Sequence, residues 1–529
     1  MNETAVVEAI NSCFKLIVPE IILAFVACVL FVGASFRVSR HVWGTVALVG
    51  LVGAGIALVF TPLLHWTSLE GAQASIDAAP FNMDTLGWYI KAVALVGGAV
   101  LVLCSWNEVP DQQAGEYHAC LLLTVAGLSL TGIANDLVTL FLSLELISIP
   151  TYVLLYLPRH TQATQEAAVK YFMLSVFTSA LLLFGFSYLY GLTGTTNISA
   201  LMQGLNRVTE NAPKGLPAVG MIALVMVVAG LCFKVTAVPF HFYAPDVYQG
   251  APTSAAALLA FVPKAAGFVA FIRVLGFTWS GHAVNVGLSL GSQAPILLWI
   301  LSAVTMSLGN VLALLQHNVK RLLAYSSVAH AGYMLIGLTA ANQLSRDPHY
   351  AWVGVSSVLF YIAAYGAMTI GAFGVLLYLS SADQSVETED DLAGLSQTHP
   401  GAAALMALFL FSLIGIPGTA GFAGKWNLIF GTMAADTSPS MLFRWLAIIG
   451  IVNSAIGAWY YLRIVARMYL QPPVQALPRR SNAPVMAALW ICGLVTLWAG
   501  VYPNSLLQQT NRAAGTLEPT PAVGMSTSK

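Results

Sequence analysis

Long apolar runs recur from one end of the chain to the other, separated by short polar stretches, and their lengths suit helices that cross hydrocarbon. A bilayer core about 30 Å thick takes roughly 20 apolar residues per helix. The runs fall at 16–36, 43–64, 87–106, 119–134, 137–157, 169–193, 217–248, 253–275, 293–315, 320–340, 351–380, 402–433, 441–469 and 484–505. This pattern predicts an all-α membrane protein of about 14 transmembrane helices, with no stretch left over for a soluble domain. The first run follows Glu3 and Glu8 rather than Lys or Arg, and it is longer than a signal-peptide core, so it reads as a retained span.

Two runs are too long and too interrupted for a plain helix. Residues 217–248 contain Pro239 and Pro245, and residues 412–426 read SLIGIPGTAGFAGKW. Proline and glycine at such depth free backbone carbonyls, which is tolerated where the break is packed in protein or lines a wet cavity. Broken helices in corresponding positions of two halves are the pattern of an inverted-repeat transporter. The stretches GLCFK (230–234) and GFAGK (421–425) also align loosely, each with a glycine four residues before a lysine.

Composition narrows the reading: 58% of the 529 residues are hydrophobic and only 8% are charged, which excludes a soluble protein. Lys plus Arg and Asp plus Glu balance at 22 each, so no basic field exists to attract nucleic acid. Cys13, Cys28, Cys104, Cys120, Cys232 and Cys492 are scattered without a spacing that holds zinc or an iron–sulfur cluster, so no cofactor or metal is expected in this chain. If the helices alternate, Arg37, Arg40, Arg159, Lys320, Arg321, Arg463, Arg467, Arg479 and Arg480 share one side. The other side carries Lys15, Arg207, Lys214, Arg273, Arg346, Arg444, Arg512 and Lys529. Clustering near helix ends makes the first side cytoplasmic and leaves both termini outside.

The remaining basic residues, Lys91, Lys170, Lys234, Lys264 and Lys425, lie within or at the edge of predicted spans, and none is arginine. Arginine stays protonated almost everywhere, whereas a desolvated lysine exchanges its proton near neutral pH. Lysines therefore suit sites that load and release protons. Lys170 opens its span and Lys91 sits near the start of its own, so both are within reach of the headgroups and are the outlying members of the set. Glu145, in LVTLFLSLELISIPTY, is too far from either end to snorkel and needs a partner, for which Lys234 is the candidate. His241 and His330 titrate in the useful range and are candidate proton relays between lysine sites. Glu20 sits where it would stabilise the start of the first span, Asp246 follows Pro245 as a helix cap, and Arg273, at the end of its span, should tolerate Lys or Gln.

The stretch FKVTAVPFHFYAPDVYQGAP resembles the subunit N family of NADH-quinone oxidoreductases, or respiratory complex I. So do GNVLALLQHNVKRLLAYSSVAHAGYMLIGL at 309–338, VPEII at 18–22, FLSLELISIPTYVLLYL and GIPGTAGFAGKW. The resemblance covers residues 18 to 470. PDVYQGAP, the lysine at 425 and the absence of a long lateral helix after the last span resemble subunit N rather than its two antiporter-like sisters.

The resemblance implies fourteen helices with two inverted five-helix repeats, helices 4–8 and 9–13, and with helices 7 and 12 broken. The chain would divide into 1–118 (helices 1–3), 119–275 and 293–470 (the repeats), 484–505 (helix 14) and a polar tail, 506–529. It further implies a proton path through Glu145, Lys234, Lys264 and Lys425 in a bacterial cytoplasmic membrane. NADH, FMN, iron–sulfur clusters and quinone would bind other subunits of the complex. The expected neighbours are an M-type antiporter-like subunit, the small K- and J-type subunits and the lipid bilayer. One departure limits the symmetry: where the second repeat should match Lys264 the sequence reads NSAIGA around Ser454. Two other readings stay open, an Mrp-type cation/proton antiporter subunit and a structural spacer with a vestigial channel.

Overall fold

The computed structural model describes residues 13–36, 38–66, 79–158, 161–198, 200–201, 204–205, 208, 217–275, 290–341, 353–380, 386–433, 440–474 and 482–515. Among them, eleven helices are long and apolar enough to cross a membrane, and three apolar helices are shorter. In chain order they are α1 Val18–Gly33, α2 Arg40–Trp66, α3 Thr85–Ser105, α4 Ala114–Ile133, α5 Leu137–Tyr156 and α6 Gln162–Thr193. The seventh is broken into α7a Ala218–Lys234 and α7b Ala244–Gly250, and α8 is Thr253–Leu275. Then come α9 Leu290–Leu314, α10 Val319–Ala341, α11 Val353–Leu379, α12a Pro400–Ile414, α12b Ala420–Met433, α13 Ser440–Leu470, α14 Ala483–Val501 and α15 Pro503–Gly515. The all-helical architecture with breaks in its seventh and twelfth members agrees with the sequence pattern.

Local chemistry sets the helix ends. Asp84 accepts from the Gly87 amide at 2.7 Å to start α3, and Asp136 accepts from Val138 at 2.8 Å to start α5. At the second break Gly415 and Gly418 adopt φ of 92° and 88°, conformations that side-chain-bearing residues rarely enter. The two halves then fold tightly together. A Cβ on Gly421 would lie 1.8 Å from the Ser412 carbonyl oxygen. The breaks are not superimposable. Lys234 is the last residue before the first break, whereas Lys425 lies in the second turn after the other. The alignment of GLCFK with GFAGK is therefore corrected: matched spacing in an apolar run does not fix where the helix parts.

An internal repeat is visible in the backbone. The Leu137 amide donates to Thr196 O at 2.9 Å while Ile198 donates to Asn135 O at 2.9 Å. In the same pattern Val319 donates to Glu387 O at 2.8 Å while Glu389 donates to His317 O at 3.2 Å. Each bridge ties the start of one helix, α5 or α10, to the residues beyond the next, α6 or α11. The two bridges lie on opposite faces. Asn135 bonds Pro80, beside the Asp84–Arg273 pair, whereas Gln316 O accepts from Arg463 among the other cluster of basic side chains. Two antiparallel copies of one helical unit account for this.

Every residue of α8 is buried, so this helix is the centre of the bundle. At its other extreme the chain departs from expectation. The stretch read as a polar tail from 506 begins inside α15, whose Leu506, Thr510, Ala513 and Ala514 are buried and whose Arg512 carbonyl accepts from Thr85 Oγ1 at 2.9 Å. Spacing of four, three and one residues makes one side of this short helix apolar enough to pack on α3. The expectations for both chain ends and for Arg37, Arg159, Arg207, Lys214, Arg346, Arg479, Arg480 and Lys529 lie outside the described residues.

Candidate functional site: a line of buried lysines

Lys91 does not reach the membrane surface. It is fully buried, 2.8 Å from Glu20 Oε1, and donates to the Leu16 carbonyl at 2.8 Å and Glu20 Oε2 at 2.9 Å. Ser129 Oγ donates to the same carboxylate. Both sequence expectations are corrected here. α3 packs against other helices on the side where Lys91 projects, so its ammonium meets Glu20 instead of headgroups, and Glu20 serves as a counter-ion rather than only a helix-end charge.

Glu145 lies in the middle of α5, with Lys234 Nζ 3.6 Å from its Oε1. Ser179 of α6 donates to that oxygen at 2.6 Å, and Lys234 also donates to Ser148 Oγ, one turn along α5. The expected partner is therefore in place.

Lys264, midway along α8, donates to the Ser327 carbonyl at 2.5 Å and to Ser327 Oγ. Tyr365 donates to the same hydroxyl at 2.7 Å, and its ring centroid lies 5.9 Å from the ammonium nitrogen. His330, one turn further along α10, bonds Tyr361 Oη through Nδ1 at 2.7 Å and Tyr461 Oη through Nε2 at 3.1 Å; Tyr461 in turn bonds Ser326. Lys425 donates to Leu413 O at 2.8 Å, Ile414 O at 3.0 Å and Ser454 Oγ at 3.1 Å. The break at Gly415 frees the first two carbonyls. Ser454, where a second central lysine is missing, instead receives the lysine of α12b. Tyr333 joins the groups, with its ring 4.6 Å from Lys425 Nζ and 5.6 Å from the His330 ring.

A gradation runs along the set. Lys91 and Lys234 have carboxylates, but among the described residues Lys264 and Lys425 have only hydroxyl and carbonyl oxygens. The repeat explains part of it. Glu145 lies eight residues after the bridging Leu137, and Ser327 lies eight residues after the bridging Val319. The position that is acidic in the first repeat is thus a serine in the second, and each holds a lysine. By the same register Ser148, which receives Lys234, corresponds to His330.

The outlying residues fall elsewhere. Lys170 is partly exposed and pairs with Glu166 at 2.6 Å and Asp246 at 2.8 Å, while Arg321 pairs with Asp246 at 2.7 Å. Asp246 thus bridges the two repeats instead of capping α7b. Its side chain points toward neighbouring cations and not along its own short helix. His241 lies between α7a and α7b, and no hydrogen bond joins it to a lysine among the described residues. Arg273 is also corrected: both its Nη atoms bind Asp84, at 2.6 and 2.8 Å, and one also donates to the Gly132 carbonyl. A planar fork with three acceptors is not replaceable by Lys or Gln without loss. Among the described residues no group of three His, Cys, Asp or Glu side chains is arranged to hold a metal.

Comparison with known proteins supplies the family. Residues 134–456 match the family described as NADH:quinone oxidoreductase/Mrp antiporter, TM. The chain is 35% identical to NADH-quinone oxidoreductase subunit N of Trichlorobacter lovleyi, over 97% of this chain and 99% of the relative. It is 37% identical to the subunit N of Rhodospirillum rubrum, over 94% and 96%. Among solved structures, a chain of respiratory complex I from Thermus thermophilus aligns with TM-score 0.72 and 29% identity, covering 93% of this chain and 98% of that one. A chain of the Mrp complex from Dietzia sp. shares the fold, with TM-score 0.77 at 19% identity over 95% and 97%.

Proposed function

The chain belongs to the subunit N family of NADH-quinone oxidoreductases, antiporter-like membrane-arm subunits, and from that premise we propose that it moves protons along Glu145, Lys234, Lys264, His330 and Lys425. The observation that carries the reading is the environment of Lys264. An ammonium beside a carboxylate keeps its charge for as long as the two stay close, but Lys264 faces a carbonyl and a hydroxyl. The carbonyl accepts from either an ammonium or a free amine, and the hydroxyl accepts from the first or donates to the second. Ser327 can therefore receive Lys264 in either protonation state. Ser454 offers Lys425 the same choice. Tyr365, Tyr361, Tyr461 and His330 supply hydroxyl and imidazole groups that accept and donate between the two lysines. Glu145 holds Lys234 at the other end and sets its charge by distance.

On this reading electrons pass from NADH through FMN and iron–sulfur clusters to quinone in other subunits, and this chain adds proton movement to their reaction. Its neighbours are an M-type subunit and the small K- and J-type subunits, in a bacterial cytoplasmic membrane. The face carrying Arg40, Lys320, Arg321, Arg463 and Arg467 is cytoplasmic by the positive-inside rule.

The test uses the assembled complex in proteoliposomes, with acidification and quinone reduction measured together. Lys264→Ala removes the station and Lys264→Arg fixes its charge, so both should lower proton translocation about tenfold or more, the scale of losing a proton-transfer group. Full coupled activity in an assembled Lys264→Ala complex would return Lys264 to a packing role.

A further inference from the structure

Helix α8 is held at both ends by residues that flank a single other helix, α3. At its start, the two carboxylate oxygens of Glu108 accept from the Thr253 and Ser254 amides, each at 2.8 Å. These amides have no partner inside a helix, and an acid there also complements the helix dipole. At its end, Arg273 is bidentate to Asp84. Asp84 is the cap of α3, and Glu108 follows its last turn, so the two helices run antiparallel with a tie at each end. They also touch at the middle. A Cβ on Gly97 of α3 would lie 2.4 Å from the Phe261 ring of α8, and one on Gly366 of α11 would lie 2.6 Å from the same ring.

A helix tied at both ends can neither slide nor turn as a rod, since a shift of one residue moves every contact by about 1.5 Å and breaks both ties. It can only bend. Pro263 removes one intrahelical hydrogen bond and is the place where α8 bends most readily, and Lys264 is the next residue. We propose that Glu108 and the Asp84–Arg273 pair are positioning residues, which hold α8 in axial register so that Lys264 approaches and leaves Ser327 by bending at Pro263. This rests on the reading of Lys264 as a proton station.

The experiment compares Glu108→Ala, Glu108→Gln, Arg273→Gln and Arg273→Lys in the assembled complex. Amide hydrogen exchange over residues 253–275 and the ratio of protons moved to quinone reduced are both measured. Glu108→Ala and Arg273→Gln should each speed exchange at their own end of α8 by about tenfold or more, the signature of local opening, and should lower the ratio. Glu108→Gln and Arg273→Lys, which keep some of the hydrogen bonds, should recover part of both. If Glu108→Ala or Arg273→Gln prevents assembly, the two conservative variants are scored against the unaltered complex in the same way. Faster exchange with an unchanged ratio would make the ties purely structural, and unchanged exchange would remove them altogether. Either result overturns the proposal while Lys264→Ala still lowers translocation. A Lys264→Ala complex that pumps normally would instead overturn the reading beneath it.

Discussion

Lys234 sits 3.6 Å from Glu145 and Lys91 2.8 Å from Glu20, whereas among the described residues Lys264 and Lys425 hold only hydroxyl and carbonyl oxygens. Removing one member of a buried pair strands the other, at a cost of about 3–5 kcal/mol unless it changes protonation. Glu145→Ala and Lys234→Ala should therefore each impair proton translocation, and the double variant should lose less than the sum of the two. Strictly additive losses in reconstituted complexes would show that the pair does not act as a unit. The sequence could locate these lysines and Glu145 because a charge deep in an apolar run is itself the anomaly. It could not name their neutral partners. Serines and tyrosines are common in apolar helices, and only their spacing in AYSSVAHAGY (324–333) and YIAAY (361–365), at intervals of three and four, hints at shared faces. Nor could it find the partner of Arg273, because Asp84 is 189 residues away in the chain.

At the scale of elements, the two breaks were legible as clusters of proline and glycine, but their geometry was not. The twelfth helix parts at Gly415 and resumes at Ala420, with Gly421 pressed on the last turn of α12a. A methyl group there meets backbone rather than a side chain that can rotate away. Gly421→Ala should cost at least the 1–3 kcal/mol typical of overpacking, roughly, and lower the thermal midpoint of the complex. Gly401→Ala makes the natural control, since nothing lies within 4 Å of its added methyl. Equal midpoints for the two variants would mean that the halves of the twelfth helix are not locked together. The repeat itself was only faintly visible in sequence. What the copies share is backbone pairing at Leu137–Thr196 and Val319–Glu387, which many sequences satisfy, while the side chains at matched places, Glu145 and Ser327, have diverged.

Across the whole molecule, one face gathers the basic side chains into a continuous set of contacts. Arg40 bonds Asn107 O, Asn107 bonds Asn482, Lys320 bonds Ala251 O and Arg463 bonds Gln316 O, while Arg463 and Arg467 both pair with Glu389. The loops so joined belong to both repeats and to the helices before and after them. Loop charge read from sequence therefore anticipated a shared face, though not that its members are tied to one another.

The burial of α8 on every side bears on how the gene can vary. Helices at the rim, such as α13 with its exposed Trp445, Ile448, Val452 and Trp459, have an outward side that no other described helix of this chain covers, on which one apolar residue can replace another. α8 has no such side. In a saturation-mutagenesis library selected for growth on respiration, tolerance along α13 should rise and fall about every 3.6 residues, the helical period. Along residues 253–275 it should stay uniformly low, with no period at all. An evolving lineage would then find this stretch nearly closed to drift, and would reach new variants of it through paired changes in the helices packed around it, α4, α5, α7a and α11 among them.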